Sequence, residues 1–436
     1  MKILFFVFLY LFQKISSDYE ILDLNYDTYY YINLNFPNII RNKRFVFSTI
    51  LPKCFFPSTD CKNCKNQLID NNNTDSRKNI SIPYYFYNFI GKEYNLTLRT
   101  EKYQAPQNVC SFDNFTYADY YNGFGRFSLS FLNYNFNTEK KIFAIKFIED
   151  GAELHLGGYD DNIKLSEANN FTVQVVNKYE NYTEEIKYKN QTNNDNNIFD
   201  RNNFLSEEGD NDNDTITENR TIEIDKSVWF MNFSKLKIKR ESEEEVDYKL
   251  DNYKLTLDMN NDVFYIPKEF FVKNVQKIFP KEAKCQLTQD GYFYCQCDED
   301  YKTKFGSFVF ENEKGVKFYV NVTDYMSYQS SISGSKCSVH LQINYDNDLF
   351  IGGITVLNNY YTIFDVDNQM IRILPRDNLD SKETAKFVIM FFVVIVVTIL
   401  ALFGGYYFYN KFIINEPTGL IQPNVNQNNN NNGQPN

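Results

Sequence analysis

The sequence predicts a mostly β protein built from two halves, followed by one C-terminal transmembrane helix. Strand-forming aromatic residues are abundant, with 34 Tyr and 41 Phe in 436 residues. Strand-like runs recur on both sides of a segment rich in Asn, Asp and Glu, which divides the chain into halves of similar size. Residues 387–409 form a continuous apolar run without a charged side chain. The length leaves room for two or three domain-sized cores.

The first 17 residues have the pattern of a secretory signal peptide. One early Lys is followed by an apolar run and then by the small residues Ser16 and Ser17. We expect cleavage shortly before Asp18. The bulk of the chain would then lie in the lumen of the secretory pathway or outside the cell.

Strands are predicted first in the runs YYYINLNF (29–36), RFVFSTI (44–50) and KIFAIKFI (141–148). Residues 190–220 have little to bury, and we expect a disordered or loosely held acidic insertion there. Strand patterns return from residue 222 to residue 374. Between them PKEFFVKNVQKIFP (267–280) has apolar residues at helical spacing between two prolines. The predicted lobes are 29–189 and 221–375, followed by a stalk at 376–386.

Residues 387–409 are long enough to cross a hydrocarbon core of roughly 30 Å. Tyr406, Tyr407 and Tyr409 suit the membrane interface, and Lys411 follows. The tail, residues 410–436, is Asn-rich and of low complexity. We therefore expect a single-pass type I protein whose partner is the lipid bilayer, at the cell surface or in an endomembrane such as the vacuole.

Cysteines and glycosylation acceptors fit that topology. All cysteines precede the apolar run, and their even number in an oxidising compartment predicts disulfides. The candidates are Cys54, Cys61, Cys64, Cys110, Cys285, Cys295, Cys297 and Cys337. Asn-x-Ser/Thr acceptors occur at Asn72, Asn79, Asn95, Asn114, Asn170, Asn181, Asn190, Asn213, Asn219, Asn232 and Asn321.

Several functions are disfavoured by composition. The formal net charge of −11 argues against binding nucleic acid. The two histidines, His155 and His340, lie far apart in the sequence, which argues against a His-based metal site or a Ser-His-Asp mechanism. Cys61 and Cys64 have a metal-like spacing, but no second pair would complete a zinc site. We expect neither a metal nor a cofactor.

Four segments, in order, resemble the pepsin-like aspartic peptidase family over about residues 29–375. They are ADYYNGFG (118–125), GAELHLGGYDDN (151–162), WFMNFSKLKI (229–238) and FIGGITVLNNYYTIFDVDNQMIRILP (350–375). The resemblance implies a bilobal acid-protease fold, with Gly123 and Gly352 as structural glycines. It also implies that Cys295 or Cys297 bonds Cys337. The glycines of the first and last segments suggest a weak internal duplication.

In this family one Asp from each lobe, each within Asp-Thr-Gly, shares a proton and a water with the other. Here Ser48 takes the place of the first Asp, Thr49 matches the Thr, and Ile50 replaces the Gly. Asp258 occupies the second Asp position. The family's flap corresponds to residues 81–91, with Tyr84 and Gly91 in register.

These departures predict a protein that does not cut peptides by the family's mechanism and whose cleft binds a peptide or protein ligand. Two other interpretations remain open. The chain could be an active atypical aspartic endopeptidase that pairs Asp258 with Asp262 or Asp60. It could also be a surface glycoprotein with a purely structural or adhesive role. Separately, Asp258 could be no more than a loop carboxylate that caps backbone amides.

Overall fold

The structure is a computed structural model. It describes residues 19–26, 30–36, 40–57, 79–84, 87–100, 102–112, 126–161, 163–189, 215–240, 246–248, 253–288, 292–330, 335–345 and 348–409. Residues Met1–Arg376 form one unit and Asp377–Asn436 another. The predicted signal peptide and the predicted tail lie outside the described residues.

The strands of the first half are β1 Glu20–Tyr26, β2 Tyr30–Phe36, β3 Ile40–Ser48, β4 Cys54–Pro57, β5 Asn79–Tyr84, β6 Tyr87–Arg99, β7 Gln104–Phe112, β8 Arg126–Ser128, β9 Ile142–Ile148, β10 Gly151–Leu156, β11 Asn169–Val176 and β12 Tyr179–Lys189. Those of the second half are β13 Thr215–Asp225, β14 Val228–Phe233, β15 Lys235–Lys239, β16 Val246–Tyr248, β17 Tyr253–Leu257, β18 Phe264–Pro267, β19 Gln286–Leu287, β20 Phe293–Gln296, β21 Ser307–Glu311, β22 Lys317–Val320, β23 Met326–Gln329, β24 Lys336–Val339, β25 Leu341–Asn344, β26 Leu349–Gly352, β27 Tyr360–Asp365 and β28 Met370–Pro375. The α-helices are α1 Lys268–Ile278, α2 Tyr301–Lys304, α3 Val322–Tyr325, α4 Ile354–Leu357 and α5 Asp377–Tyr409. The described chain is therefore mostly β, as predicted.

One arrangement of four strands occurs twice. In the first half β8 runs parallel to β3 and antiparallel to β4, and β4 runs parallel to β7. In the second half β26 runs parallel to β17 and antiparallel to β18, and β18 runs parallel to β25. The duplication that the sequence only suggests is therefore present in the strand pairing.

The last two strands join the halves. β27 pairs with β9 of the first half and with β28, and β28 pairs with β11. Phe143 and Phe364 face each other across the β9–β27 pair, and their rings stack 4.3 Å apart. Both rings are fully buried. Stacked aromatic pairs add to the burial of apolar area, so this contact helps to hold the halves together.

The helix α1 forms where helical spacing predicts it. Phe270, Phe271, Asn274 and Ile278 are its buried residues, so one stripe of the helix faces the core. The helix starts directly after Pro267 and ends before Pro280, as expected for residues that cannot donate a backbone hydrogen bond.

Two predicted boundaries are wrong. The first half does not start at residue 29, because β1 already pairs with β10 from Glu20 to Asn25. The predicted insertion, residues 190–220, ends too late, because β13 begins at Thr215 and pairs with β12 along its whole length. The sequence of β13, TITENRTIEID, is so polar that the alternation of apolar and polar residues typical of a strand is hard to recognise. Residues 190–214 lie outside the described residues.

The second unit contains α5. Its segment Phe391–Tyr409 is apolar and long enough to cross a membrane, with a mean hydropathy of 2.3. The helix begins at Asp377, so most of the predicted stalk is helical as well.

Candidate active site

The strand pairing establishes which residues of the two halves correspond. Phe47 pairs with Phe127 as Leu257 pairs with Gly352. Ser48 follows Phe47, and Asp258 follows Leu257, so these two residues occupy equivalent places at the ends of equivalent strands. The structure thus gives Ser48 the position in the first half that Asp258 has in the second.

Ser48 and Asp258 meet in the interior. The Ser48 hydroxyl donates to Oδ1 of Asp258 at 3.3 Å, and both residues are 0% exposed. The pair therefore consists of a neutral hydroxyl and a carboxylate. A serine hydroxyl does not ionise in the physiological pH range, so the contact brings one acidic group to the site.

Asp258 accepts further hydrogen bonds from its own loop. The backbone N–H of Asn260 donates to Oδ1 at 3.1 Å, and the side-chain amide of Asn261 donates to Oδ2 at 2.9 Å. Both oxygens thus receive hydrogen bonds, which a buried carboxylate needs to offset its lost hydration. Asp262 is exposed, unlike Asp258, and Asp60 lies outside the described residues.

Thr49 ties the two loops together. Its hydroxyl donates to the carbonyl of Leu257 at 2.6 Å and accepts from the N–H of Met259 at 3.3 Å. Its own carbonyl accepts from the indole N–H of Trp229 at 2.7 Å. Met259 occupies the place equivalent to Thr49 and has no hydroxyl, so the side-chain hydroxyl link comes from the first half.

The loops differ in how closely the backbones approach. A Cβ on Gly353 would lie 2.5 Å from the carbonyl oxygen of Asn261, and closer still to that of Val263. The equivalent residue in the first half, Ser128, has a side chain whose hydroxyl donates to the carbonyl of Leu51 at 2.5 Å. The first loop therefore leaves room for a side chain where the second requires glycine.

Ile50 fits this more open loop. It is half-buried, and its N–H lies 3.4 Å from the Ser48 hydroxyl oxygen. Asn133 is a further polar residue beside this loop, because its side-chain amide donates to the Ser128 carbonyl at 2.9 Å. The Ile50 N–H thus belongs to the hydrogen-bond network around the first loop.

Of the two predicted structural glycines, the structure describes Gly352. Gly352 lies at the end of β26 beside Leu257, and a Cβ there would meet Leu257 Cδ2 at 2.9 Å. The residue at the equivalent pairing position of the first half is Phe127. Gly123 lies outside the described residues, and the paired strand starts only at Arg126. Phe127 is tolerated because its ring is buried against Phe47.

The predicted flap corresponds to the hairpin of β5 and β6. Tyr84 pairs with Tyr87 at its end, and Gly91 pairs with Ile80. The two strands therefore form an antiparallel hairpin in this region.

Cys54 is not in a disulfide, contrary to the prediction. Its thiol is completely buried beside Ser128, whose N–H lies 3.3 Å from the sulfur. Burial raises the pKa of the Cys54 thiol to about 12, so it stays protonated at neutral pH. It acts as a small core residue below the Ser48 loop.

Two disulfides lie in the second half. Cys285 bonds Cys295, and Cys297 bonds Cys337. Of the two partners expected for Cys337, Cys297 is therefore the right one. Cys61 and Cys64 lie outside the described residues, and of Cys110 only the backbone is described.

Four of the predicted glycosylation acceptors are exposed, namely Asn170, Asn181, Asn232 and Asn321. Asn79, Asn95 and Asn219 lie in strands, with only their backbone described. Asn72, Asn114, Asn190 and Asn213 lie outside the described residues. In the part of the chain that is described, no group of three or more His, Cys, Asp or Glu side chains could hold a metal ion.

Sequence reasoning missed two features of the site. The single Trp of the chain was recognised only as part of a strand, although Trp229 bonds the Thr49 carbonyl. Lys53 was not recognised either, because its partners Glu93 and Asp225 lie far away in the sequence and no local pattern marks the pairing.

Residues 209–375 match the family model of the eukaryotic aspartyl protease. No curated protein matches the chain. The matched segment ends with β28 and contains Asp258, Gly352 and both disulfides.

Proposed function

We propose that this chain, which carries a pepsin-like aspartic protease domain, is a membrane-anchored binding protein that no longer cleaves peptides. The observation that supports the proposal is the pairing of a serine with Asp258 at the centre of the fold, where two carboxylates would be required. The cleft keeps its framework and would serve to hold a peptide or protein ligand.

The chemistry explains why the substitution matters. One ionised Asp must take a proton from water while the other, protonated, donates to the scissile carbonyl. The Ser48 hydroxyl can donate a hydrogen bond but is far too weak an acid or base for either step. Loss of one such group typically lowers the rate by about 10²–10⁴.

Binding does not need that chemistry. An extended peptide can add main-chain hydrogen bonds to an exposed strand, and side-chain pockets then provide selectivity. Three observations support a maintained cleft: the duplicated strand arrangement, the Thr49 link between the loops, and the β5–β6 hairpin. None of them depends on a second acid.

The first alternative is an active atypical endopeptidase. To test it, the full-length protein in detergent is incubated with denatured casein at about pH 4, with and without pepstatin. We expect no pepstatin-sensitive cleavage. Pepstatin-sensitive cleavage that is lost in Asp258→Ala would show that an unrecognised carboxylate restores the pair, and would overturn the proposal.

The second alternative is a structural or adhesive glycoprotein. Binding to an array of extended peptides distinguishes it from the proposal, with Tyr84→Trp as the test variant. Tyr319→Trp is a matched control, because Tyr319 is an exposed residue of β22. We expect Tyr84→Trp to lower the signal and the control to leave it unchanged. No signal with any peptide would favour adhesion.

The proposed topology places the unit Met1–Arg376, here called the β unit, in the lumen of the secretory pathway or outside the cell. The two disulfides and the apolar helix α5 support a membrane protein of that pathway. Treatment with an N-glycosidase should increase gel mobility, and the β unit should resist protease in sealed microsomes. Digestion of that unit in intact microsomes would show that the protein has the opposite orientation in the membrane.

A further inference from the structure

An ion triad lies in the interior beside the Ser48 loop. The ammonium of Lys53 is 2.9 Å from Oε1 of Glu93 and 3.7 Å from Oδ2 of Asp225. The three side chains are 10%, 3% and 0% exposed, respectively. Lys and carboxylate side chains are rarely buried unless they are paired, so this cluster has a structural consequence.

The three residues come from three different segments. Lys53 directly precedes β4, in the loop that begins at Ser48. Glu93 belongs to β6, the second strand of the predicted flap hairpin. Asp225 is the last residue of β13, the second strand of the long β12–β13 hairpin.

Backbone pairing connects the same segments more weakly. β13 runs parallel to β5 over only Ile80–Glu223 and Ser81–Ile224. By contrast, β12 and β13 pair from Tyr179–Asp225 to Lys189–Thr215. Two paired positions between β5 and β13 hold the hairpins together only weakly. Side-chain contacts between the two hairpins therefore contribute a large part of the resistance to their separation.

We propose that the Lys53–Glu93–Asp225 triad fastens the β5–β6 hairpin to the β12–β13 hairpin, so that the two move as one body. The ammonium donates a hydrogen bond to the Glu93 carboxylate at 2.9 Å and forms an ion pair at 3.7 Å, without a hydrogen bond, with the buried Oδ2 of Asp225. Separating the hairpins would remove one of those carboxylates and leave its charge without this partner in a site of low polarity. The triad is thus a strap that restrains the hairpin predicted from the sequence to be the flap.

The strap also reaches the candidate active site. Asp225 lies just before β14, and Trp229 of β14 donates to the Thr49 carbonyl. Lys53 and Thr49 belong to the same loop, so both of its ends contact the β13–β14 segment. If the cleft binds a ligand, as in the proposed function, the strap would also restrain entry of that ligand. The joint motion of the two hairpins does not depend on the proposed function.

Hydrogen exchange of the full-length protein in detergent, without ligand, tests the strap. The variant Lys53→Met/Glu93→Gln/Asp225→Asn removes all three charges while keeping side-chain size, which avoids leaving an uncompensated buried charge. Lys53→Met alone is a second variant. Lys235→Met is the matched control, because Lys235 pairs with Glu311 at 3.3 Å on the exposed side of β15.

We expect amides of β5, β6 and β13 to exchange about tenfold faster or more in the triple variant, as for a locally opened unit. Amides of α1 and β17 should keep their wild-type rates, and the control should change neither group. Unchanged exchange in the three strands would overturn the proposal. Equal acceleration in all elements would also overturn it, since the triad would then only add to general stability. Because no ligand is present, failure of peptide binding leaves this result intact.

Discussion

The hydroxyl of Ser48 donates to Oδ1 of Asp258 at 3.3 Å, across two loops that equivalent strand pairs place opposite each other. Both side chains are shielded from solvent. The contact joins one acid and one neutral hydroxyl at equivalent places of the two halves. Its consequences can be measured by placing a second carboxyl group at position 48 and by removing the Thr49 hydroxyl that links the two loops.

Replacing Ser48 by Asp should make stability depend on pH at this site. Two adjacent buried carboxyls cannot both ionise, so the pKa of one would rise above its unfolded value. For a raised pKa, stability is retained at low pH and lost as pH increases through the folded value. We expect Ser48→Asp to lose about 2–4 kcal/mol at pH 7 relative to wild type, and much less at pH 4. Chemical denaturation at both pH values measures this.

Ser48→Asn is the control for that experiment, because it adds similar volume without a titratable group. Its stability relative to wild type should be nearly the same at pH 4 and pH 7. If Ser48→Asp shows an equally flat difference, the two side chains are not in electrostatic contact.

Removing the Thr49 hydroxyl should weaken the connection between the halves. In Thr49→Val the carbonyl of Leu257 and the N–H of Met259 lose their partner in a buried place. We expect a loss of about 2–4 kcal/mol in the free energy of unfolding. Thr303→Val serves for comparison, since Thr303 of the short helix α2 donates an exposed hydrogen bond to the carbonyl of Asp300 and should change stability by less than about 0.5 kcal/mol. Similar small losses in both variants would contradict the role of Thr49.

Asp324 should give the wild-type protein a pH-dependent stability of its own. Burial raises the pKa of Asp324 to about 6 despite hydrogen bonds from Asn321 and Thr323. Between the unfolded value near 4 and this folded value, the folded state binds more protons than the unfolded state. The contribution of Asp324 is therefore full below about pH 4 and is lost as pH rises through 6.

Asp324→Asn tests this prediction, because Asn still offers an acceptor to the N–H of Asn321. The stability of wild type relative to the variant should fall by about 3 kcal/mol at most from pH 4 to pH 7. Denaturant midpoints over that range provide the measurement. Parallel pH profiles of the two proteins would show that Asp324 does not titrate within it.

The two disulfides should contribute unequally. Cys297–Cys337 closes a sequence separation of 40 and Cys285–Cys295 one of 10. From the entropy of loop closure, replacing Cys297 and Cys337 by Ser should lower the free energy of unfolding by about 4 kcal/mol. Replacing Cys285 and Cys295 should lower it by about 3 kcal/mol. Thermal and denaturant unfolding of the two double variants gives the comparison. A larger loss from the short loop would mean that native packing, not loop closure, sets the effect.

Several elements could be predicted from sequence because their signals are local. Helix α1 follows from apolar spacing between Pro267 and Pro280, and β9 from the run KIFAIKFI. The alignment of Ser48 with Asp258 was also recognisable, because proline and cysteine landmarks follow the first residue and Tyr265 and Pro267 follow the second.

Other features depended on contacts between distant segments. The polar strand β13 was mistaken for part of an insertion, because its pairing with β12 does not appear as an apolar pattern. Cys54 was expected in a disulfide, although its place in β4 points the thiol into the core beside Ser128. Phe127 could not be matched to Gly352 before the strand register was known.

The sequence by itself determined the β class, the apolar C-terminal helix and the absence of Asp at position 48. These follow from residue type and from spacing along the chain. Only the tertiary structure decided that Ser48 contacts Asp258, that Thr49 links both loops and that Lys53 joins two hairpins. Each of those contacts spans a large sequence separation, and its geometry depends on how strands from both halves pair and pack.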